Sequence, residues 1–264
     1  MQKIRYFDSH AHYDDEKFDG LRDEILGEVF SGGVDFILNA ASDIASARSG
    51  AELAKKYPQI YFAAGVHPHE CGAITDENRT LADIEGFFSD EKAVAIGEIG
   101  LDFHYDFSAR ETQIKWFRLQ MKLAERLNLP VIVHDREAHG ACMEIVAEFP
   151  GVRGVFHSFS GSAEMAADLI RRGWYISFSG SVTFKNAAKL LDSVRAVDEN
   201  RLLVETDCPY LAPHPVRGKL NRSDYLCYTC RAIAEVRGVD EEKIAALSMK
   251  NAAELFGIKR MAES

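Results

Sequence analysis

The sequence predicts an α/β fold of the TIM (β/α)8 barrel type. Three observations predict it. Eight short β-rich runs alternate with longer amphipathic stretches, the central runs are continuously apolar, and 264 residues is close to what one such barrel needs. The runs are Ile4–Phe7, Val34–Asn39, Ile60–Val66, Ala93–Glu98, Val131–His134, Val152–His157, Trp174–Phe178 and Leu202–Thr206. Val131-Ile132-Val133 and Leu202-Leu203-Val204 read as strands buried on both faces, the signature of a parallel sheet covered by helices. Arg110–Leu127 and Glu137–Phe149 read as helices; in the first, Ile114, Phe117, Met121 and Ala124 recur at helical spacing. Gly20, Asp76, Ser108 and Ser162 stand where turns or helix caps are wanted, and residues 222–256 read as two further helices. A doubly wound open sheet also accommodates eight strands, but alternation repeated eight times favours the closed barrel. With no linker, low-complexity tract or internal repeat, residues 1–264 are expected to form a single barrel with a core of about 4–256.

Composition narrows the function. The chain carries 31 basic and 41 acidic side chains, a net charge of −10, which weighs against broad non-specific binding to nucleic acid but not against a local metal-lined cleft. No run of apolar residues is long enough to span a membrane, and no secretory leader is expected. The five cysteines, an odd number, point to reduced thiols and a cytoplasmic location. Cys227-x-x-Cys230 stands alone on a predicted helix without a second pair, so packing explains it better than metal or redox chemistry. Nothing in the sequence calls for an obligate protein partner.

The chemistry lies at the strand ends. Strand one closes on His10 and His12, whose spacing in an extended chain aims two imidazoles to one side. Strand three closes on His67 and His69, strand four on Glu98, strand five on His134, strand six on His157, and strand eight on Glu205 and Asp207. In a parallel barrel these ends share one mouth, where active sites of this architecture sit. Glu98 and Asp207 end apolar runs, where an unpaired charge is costly and a nearby cation removes the cost. The donors are imidazole and carboxylate without thiolate, which suits zinc, manganese or magnesium. Four histidines and two carboxylates exceed one tetrahedral ion and match two divalent ions sharing a carboxylate.

These stretches resemble the TatD family of metal-dependent hydrolases within the amidohydrolase-like barrels. The resemblance rests on Asp8-Ser-His-Ala-His12, Gly65-Val-His-Pro-His69, Ala95-Ile-Gly-Glu-Ile-Gly-Leu-Asp102, Leu129-Pro-Val-Ile-Val-His134, Gly154-Val-Phe-His-Ser-Phe-Ser-Gly161, Val204-Glu-Thr-Asp-Cys-Pro-Tyr-Leu211 and Arg217-Gly-Lys-Leu-Asn221. It runs from about Ile4 to Phe256. It implies a divalent-metal deoxyribonuclease, 3'-5' exonuclease-like, or a related phosphodiesterase. It also implies that His10 and His12 hold one ion, His134 and His157 a second, that Glu98 bridges both, and that Asp207 sits beside the first and acts on the nucleophile. Where related barrels bridge their ions with a carboxylated lysine, this chain has Glu98, which points to the TatD branch rather than to cyclic-amide hydrolases.

The expected chemistry is hydrolysis by a metal-bound hydroxide, with Asp207 accepting the proton of the water. Glu205, two residues before Asp207, is expected either to support the site or to form a rim ion pair. Asp102 is expected to orient a ligand histidine. His67, His69 and Arg217 are candidates for substrate contact; Lys219 and Asn221 share the Arg217 loop after strand eight, a common phosphate-binding region of this fold. The acidic chain favours single-stranded or end-directed DNA as substrate. Two other readings stay open: a hydrolase of a small phosphoester, ester or amide, and a zinc-stabilised scaffold without activity.

Overall fold

The structure is a computed structural model that describes residues 3–258. Its strands are β1 (Tyr6–Ala11), β2 (Val34–Asn39), β3 (Ile60–Ala64), β4 (Ala93–Asp102), β5 (Val131–Arg136), β6 (Gly154–Phe156), β7 (Tyr175–Phe178) and β8 (Leu202–Val204). The helices are α1 (Arg22–Gly32), α2 (Ile44–Lys56), α3 (Glu77–Phe87), α4 (Arg110–Leu127), α5 (His139–Ala147), α6 (Ala163–Arg171), α7 (Ala188–Ala196), α8 (Leu226–Arg237) and α9 (Glu241–Phe256). The strands follow chain order β1 to β8 in one sheet, which is the order of the (β/α)8-type barrel, and that is the fold class. No helix among the described residues is long and apolar enough to cross a membrane.

The contacts divide the chain into two units. One comprises residues 3–39 and 157–258 of the described chain. In it β1 pairs in parallel with β2, and β7 with β8. A parallel bridge, Ala11 to Cys208, joins the ends of the first and last strands. The His12 amide donates to the Cys208 carbonyl at 2.8 Å and the Asp207 amide to the His10 carbonyl at 3.0 Å, so the ladder carries past the formal end of β8. Helix α9 seals this unit. Its Ser248 hydroxyl accepts from the Val204 amide at 2.8 Å, and Asn251 donates to the Leu202 carbonyl at 2.9 Å.

The other unit is Ala40–Phe156, in which β3, β4, β5 and β6 pair in parallel in that order. The register of β4 on β5 advances by three residues, Ile96 to Ile99, against two on the partner, Val131 to Val133. This bulge places Glu98 inside the strand rather than at its end, and it is the kind of irregularity that re-aims a side chain beside a site. Helix α4 buries Trp116, Phe117, Met121, Leu123 and Ala124, with Ile114 only half-buried, and it also buries two glutamines. Gln120 accepts from the Val66 amide at 2.7 Å and donates to the Val66 carbonyl at 3.0 Å. Gln113 does the same for Asp102, at 2.8 and 3.1 Å, and also donates to the Ser108 carbonyl at 2.8 Å. These amides act as surrogate strand partners, for Val66 beyond the end of β3 and for Asp102 at the last residue of β4.

Several sequence-derived bounds shift for identifiable reasons. β1 begins later and runs through His10 because Asp8, Ser9 and His10 are buried strand residues that an apolar-run reading passes over. β3 stops at Ala64, where Gln120 takes over the backbone of Val66. β4 and β5 extend to Asp102 and Arg136. Glu137 does not open α5, since its φ of 55° is left-handed. Asp76 and Ser162 cap their helices, whereas Ser108 does not: it accepts from the Gly72 amide and donates to the His69 carbonyl at 2.8 Å.

Gly100 sits opposite His134 with φ of 139°, and a Cβ there would collide with the His134 carbonyl. Gly100→Ala is therefore expected to destabilise the fold by about 3 kcal/mol or more, read as a fall in Tm of roughly 6–12 °C by calorimetry.

Candidate metal centres

Each unit builds a cluster of imidazoles and carboxylates. In the first, β1 presents buried His10 and the residue pair ends on His12. Their Nε2 atoms lie 3.0 Å apart, and Asp207 Oδ1 lies 3.8 Å from the first and 3.4 Å from the second. The His157 ring stacks on His10 with centroids 4.0 Å apart. His157 Nδ1 is 3.3 Å from Glu205 Oε1, which also accepts from the Ser158 amide at 2.7 Å. One ligand atom from each of His10, His157 and Glu205 falls within 4.8 Å of the others. Asp207, at φ 56°, leaves the extended conformation there, so Glu205 goes to His157 while Asp207 goes to the His10 and His12 pair. Burial opposes ionisation of Asp207, but the imidazoles of His12, His10 and His157 outweigh it and hold the carboxyl below its usual range.

Asp8 anchors this cluster from beneath. It is fully buried, accepts from the Thr206 amide at 2.9 Å and the Ser223 hydroxyl at 2.6 Å, and also takes the Thr206 hydroxyl. Burial pushes it up to about 7 even though the Ser223 and Thr206 donors pull it down. Asn221, buried, donates to the Thr206 carbonyl at 2.9 Å and to the Tyr210 carbonyl. It is thus a strut of the turn that carries Asp207. Arg217 lies with its guanidinium 4.1 Å from the Phe184 ring centroid.

In the second cluster Glu98 Oε1 is 2.8 Å from His134 Nδ1 and 3.4 Å from His67 Nε2, and the three residues again offer ligand atoms within 4.8 Å. His67 is placed by its amide, which donates to the Ser42 carbonyl at 2.8 Å, and by its neighbour Val66, which Gln120 holds. Burial pushes His67 down to about 4, more than the Glu98 charge pulls it up, so it is a neutral imidazole at pH 7, the form that binds a metal. Asp102 Oδ2 lies 2.7 Å from His69 Nε2 and 3.3 Å from His134 Nε2. Burial works against the Asp102 carboxylate, yet the hydrogen bonds from His134, the Tyr105 amide and His69 outweigh it and hold the carboxyl well below its usual range.

The donors suit a divalent ion. Both clusters are imidazole and carboxylate, and none of the five cysteines takes part. Glu205 Oε2 is buried with no hydrogen-bond partner among the described residues, a costly state that a cation relieves.

The family model for TatD related DNase matches residues 7–257. The chain belongs to the TatD family. It is 40% identical to the metal-dependent hydrolase YabD of Bacillus subtilis over 96% of this chain and 99% of that one. It is 34% identical to the 3'-5' ssDNA/RNA exonuclease TatD of Escherichia fergusonii, covering 96% of this chain and 99% of that protein. The crystal structure of YJJV, a TatD homologue from Escherichia coli, superposes with a TM-score of 0.89 at 29% identity over 97% of this chain and all of that one. As a TatD member the chain is a metal-dependent hydrolase, and its His and Glu clusters are of the kind that bind metal ions.

Within one unit of this TatD chain the structure brings His10, His12, His157 and Asp207 together, and within the other it brings Glu98 and His134 together. It adds Glu205 to the first group and His67 to the second. Glu205 is wholly buried, so it is no rim ion pair. Asp102 reaches two imidazoles rather than one. Gln113 and Gln120 are the supports that sequence reasoning missed. Their signal was a spacing of seven on α4, which sets both on the buried face beside Phe117 and Ala124.

Because Asp102 titrates lower in the folded than in the unfolded chain, it contributes stability that is present above the unfolded value near 4 and lost as pH falls below it. In chelator-treated protein, Asp102→Asn is expected to lower Tm relative to wild type at pH 6, with the gap narrowing steadily below pH 4. A gap independent of pH would count against this role.

Proposed function

We propose that this chain is a divalent-metal-dependent phosphodiesterase that degrades single-stranded DNA from the 3' end. The observation that carries the reading is its end-to-end likeness to a protein named as a 3'-5' ssDNA/RNA exonuclease, in a chain whose clusters hold the donors such chemistry needs. Two ions, zinc, manganese or magnesium, are proposed, one for each cluster. His10, His12, His157 and Asp207 would hold the first; Glu98, His134 and His67 would hold the second. Bound divalent ions supply Lewis acidity, lowering the pKa of water and neutralising charge on phosphoryl oxygens.

The side chains supply the rest. Asp207, kept ionised by its imidazoles, accepts the proton of the attacking water. Asp8, through Thr206 and Ser223, fixes the turn that carries Asp207. Asp102 orients His134 and His69, and His69 is proposed to face the substrate. Arg217, pinned over Phe184, is proposed to take a phosphate. A small phosphoester, ester or amide is the second reading, favoured by the net charge of −10, which repels a long polyanion.

Manganese- or magnesium-loaded protein assayed on labelled single-stranded DNA and on a panel of small esters decides between them. Shortening from the 3' end supports the exonuclease; turnover of small esters with intact DNA supports the alternative. Asp207→Asn is expected to lower kcat by about 10²–10⁴, with metal content by mass spectrometry retained at the histidines; wild-type rates would refute its role. Chelation is expected to abolish cleavage and lower Tm, and manganese to restore both.

A further inference from the structure

Among the described residues four large apolar side chains are exposed, Leu21, Tyr105, Phe107 and Tyr210, and all but Leu21 lie beside a cluster. Tyr210 stands 6.4 Å from the His12 ring. Phe107 and Tyr105 stand 4.8 and 5.7 Å from the His69 ring. Phe107 is 69% exposed, the most of the four. Its ring stacks on Tyr105 with centroids 5.2 Å apart and planes 18° from parallel. With Tyr105 on one side, that exposure leaves the other side of the ring open to solvent.

The loop is built to hold this arrangement. Asp106, left-handed at φ 51°, turns the chain between the two rings. Its carboxylate receives a fork from Arg110 at 2.7 to 3.1 Å, and Arg110 also donates to the Phe103 carbonyl at 3.1 Å. The amides of His104 and Tyr105 donate to Asp102 at 3.0 and 2.9 Å. Buried Gln113 holds the carbonyls of Asp102 and Ser108. The Arg136 guanidinium lies 4.8 Å from the Tyr105 centroid and forms no ion pair among the described residues. A rigid aromatic pair with a cation at its side, next to a cluster of metal-binding donors, has the chemistry that takes an unstacked base and its phosphate.

We propose that Phe107 and Tyr105 form a stacking platform for a nucleobase of single-stranded nucleic acid. The inference rests on the exonuclease reading and deepens it: the loop after β4 recognises a base face, and Arg136 attends the adjoining phosphate. Stacking is tolerant of sequence, so the platform selects single strands over duplex rather than one base over another.

The test uses manganese-loaded protein carrying Asp207→Asn, so that bound strands persist, with a short oligothymidine and an abasic strand of equal length read by fluorescence anisotropy. The oligothymidine is expected to bind more tightly than the abasic strand. Phe107→Ala is expected to weaken oligothymidine binding by about 5- to 100-fold, the range of base–aromatic stacking, and to leave abasic binding unchanged. Phe107→Trp is expected to restore the preference. Equal loss on both strands, no loss on either, no binding of either strand, or equal binding of the two by the parent would overturn the platform. Hydrolysis by the Asp207-containing protein is scored apart. A chain that cleaves neither strand yet shows a Phe107-dependent preference for bases keeps the platform and loses the exonuclease reading. One that cleaves DNA without that preference keeps the nuclease and loses the platform.

Discussion

A carboxylate taken out of water must meet donors or positive charge, and among the described residues four such groups, Asp8, Glu98, Asp102 and Glu205, are buried. They meet the demand in two ways. Asp8 takes hydroxyls and an amide, neutral donors that satisfy it within the protein. Glu98, Asp102 and Glu205 face imidazoles instead. A neutral imidazole carries both a donor and a lone pair, so a carboxylate–imidazole contact can be exchanged for contacts to a cation without rebuilding the backbone. The first arrangement is structural, and the second is what a metal centre needs.

That exchange is useful only if the backbone stays in place when the charges change, and the supports around the clusters do this. The bulge in β4 sets Glu98 within a strand that continues on both sides. The Asp8–Thr206–Ser223 contacts tie β1 to the turn after β8. Gln113 and Gln120 hold the segments at Asp102 and Val66 from a single helix. In the last two cases a side chain satisfies main-chain groups at or beyond a strand end, so the irregular backbone there costs little.

The sequence made the class of fold and the chemistry legible, and for the same reason: parallel strands read as apolar runs, and polar residues ending such runs stand out. It made Val34–Asn39 and Arg110–Leu127 legible to the residue. It did not show that Glu98 sits on a bulge, because a one-residue slip leaves no mark on an apolar pattern broken by glycines. It separated His67 from Glu98 and His134, because the grouping depends on where the chain after Ala64 turns, which Gln120 decides from more than fifty positions away. It treated Asn221 as a loop residue near a phosphate, when its burial makes it a strut. Residues whose task is to bond backbone carry no pattern of their own.

An acidic chain with a polyanionic substrate needs attraction that does not depend on net charge. On the proposed reading two short-range sources supply it. Divalent ions act on the phosphate at the point of reaction, and exposed rings act on bases through stacking, which salt screens far less than ion pairing. Both act only at contact, so the field that repels a long duplex is not overcome along its length. In duplex the base faces are already stacked and unavailable to a ring such as Phe107. A frayed or single-stranded end offers a free base face and a phosphate together, and it brings the fewest additional charges against the acidic surface. On that reading a preference for ends follows from the balance of charge and stacking, with no need for a surface that reads sequence.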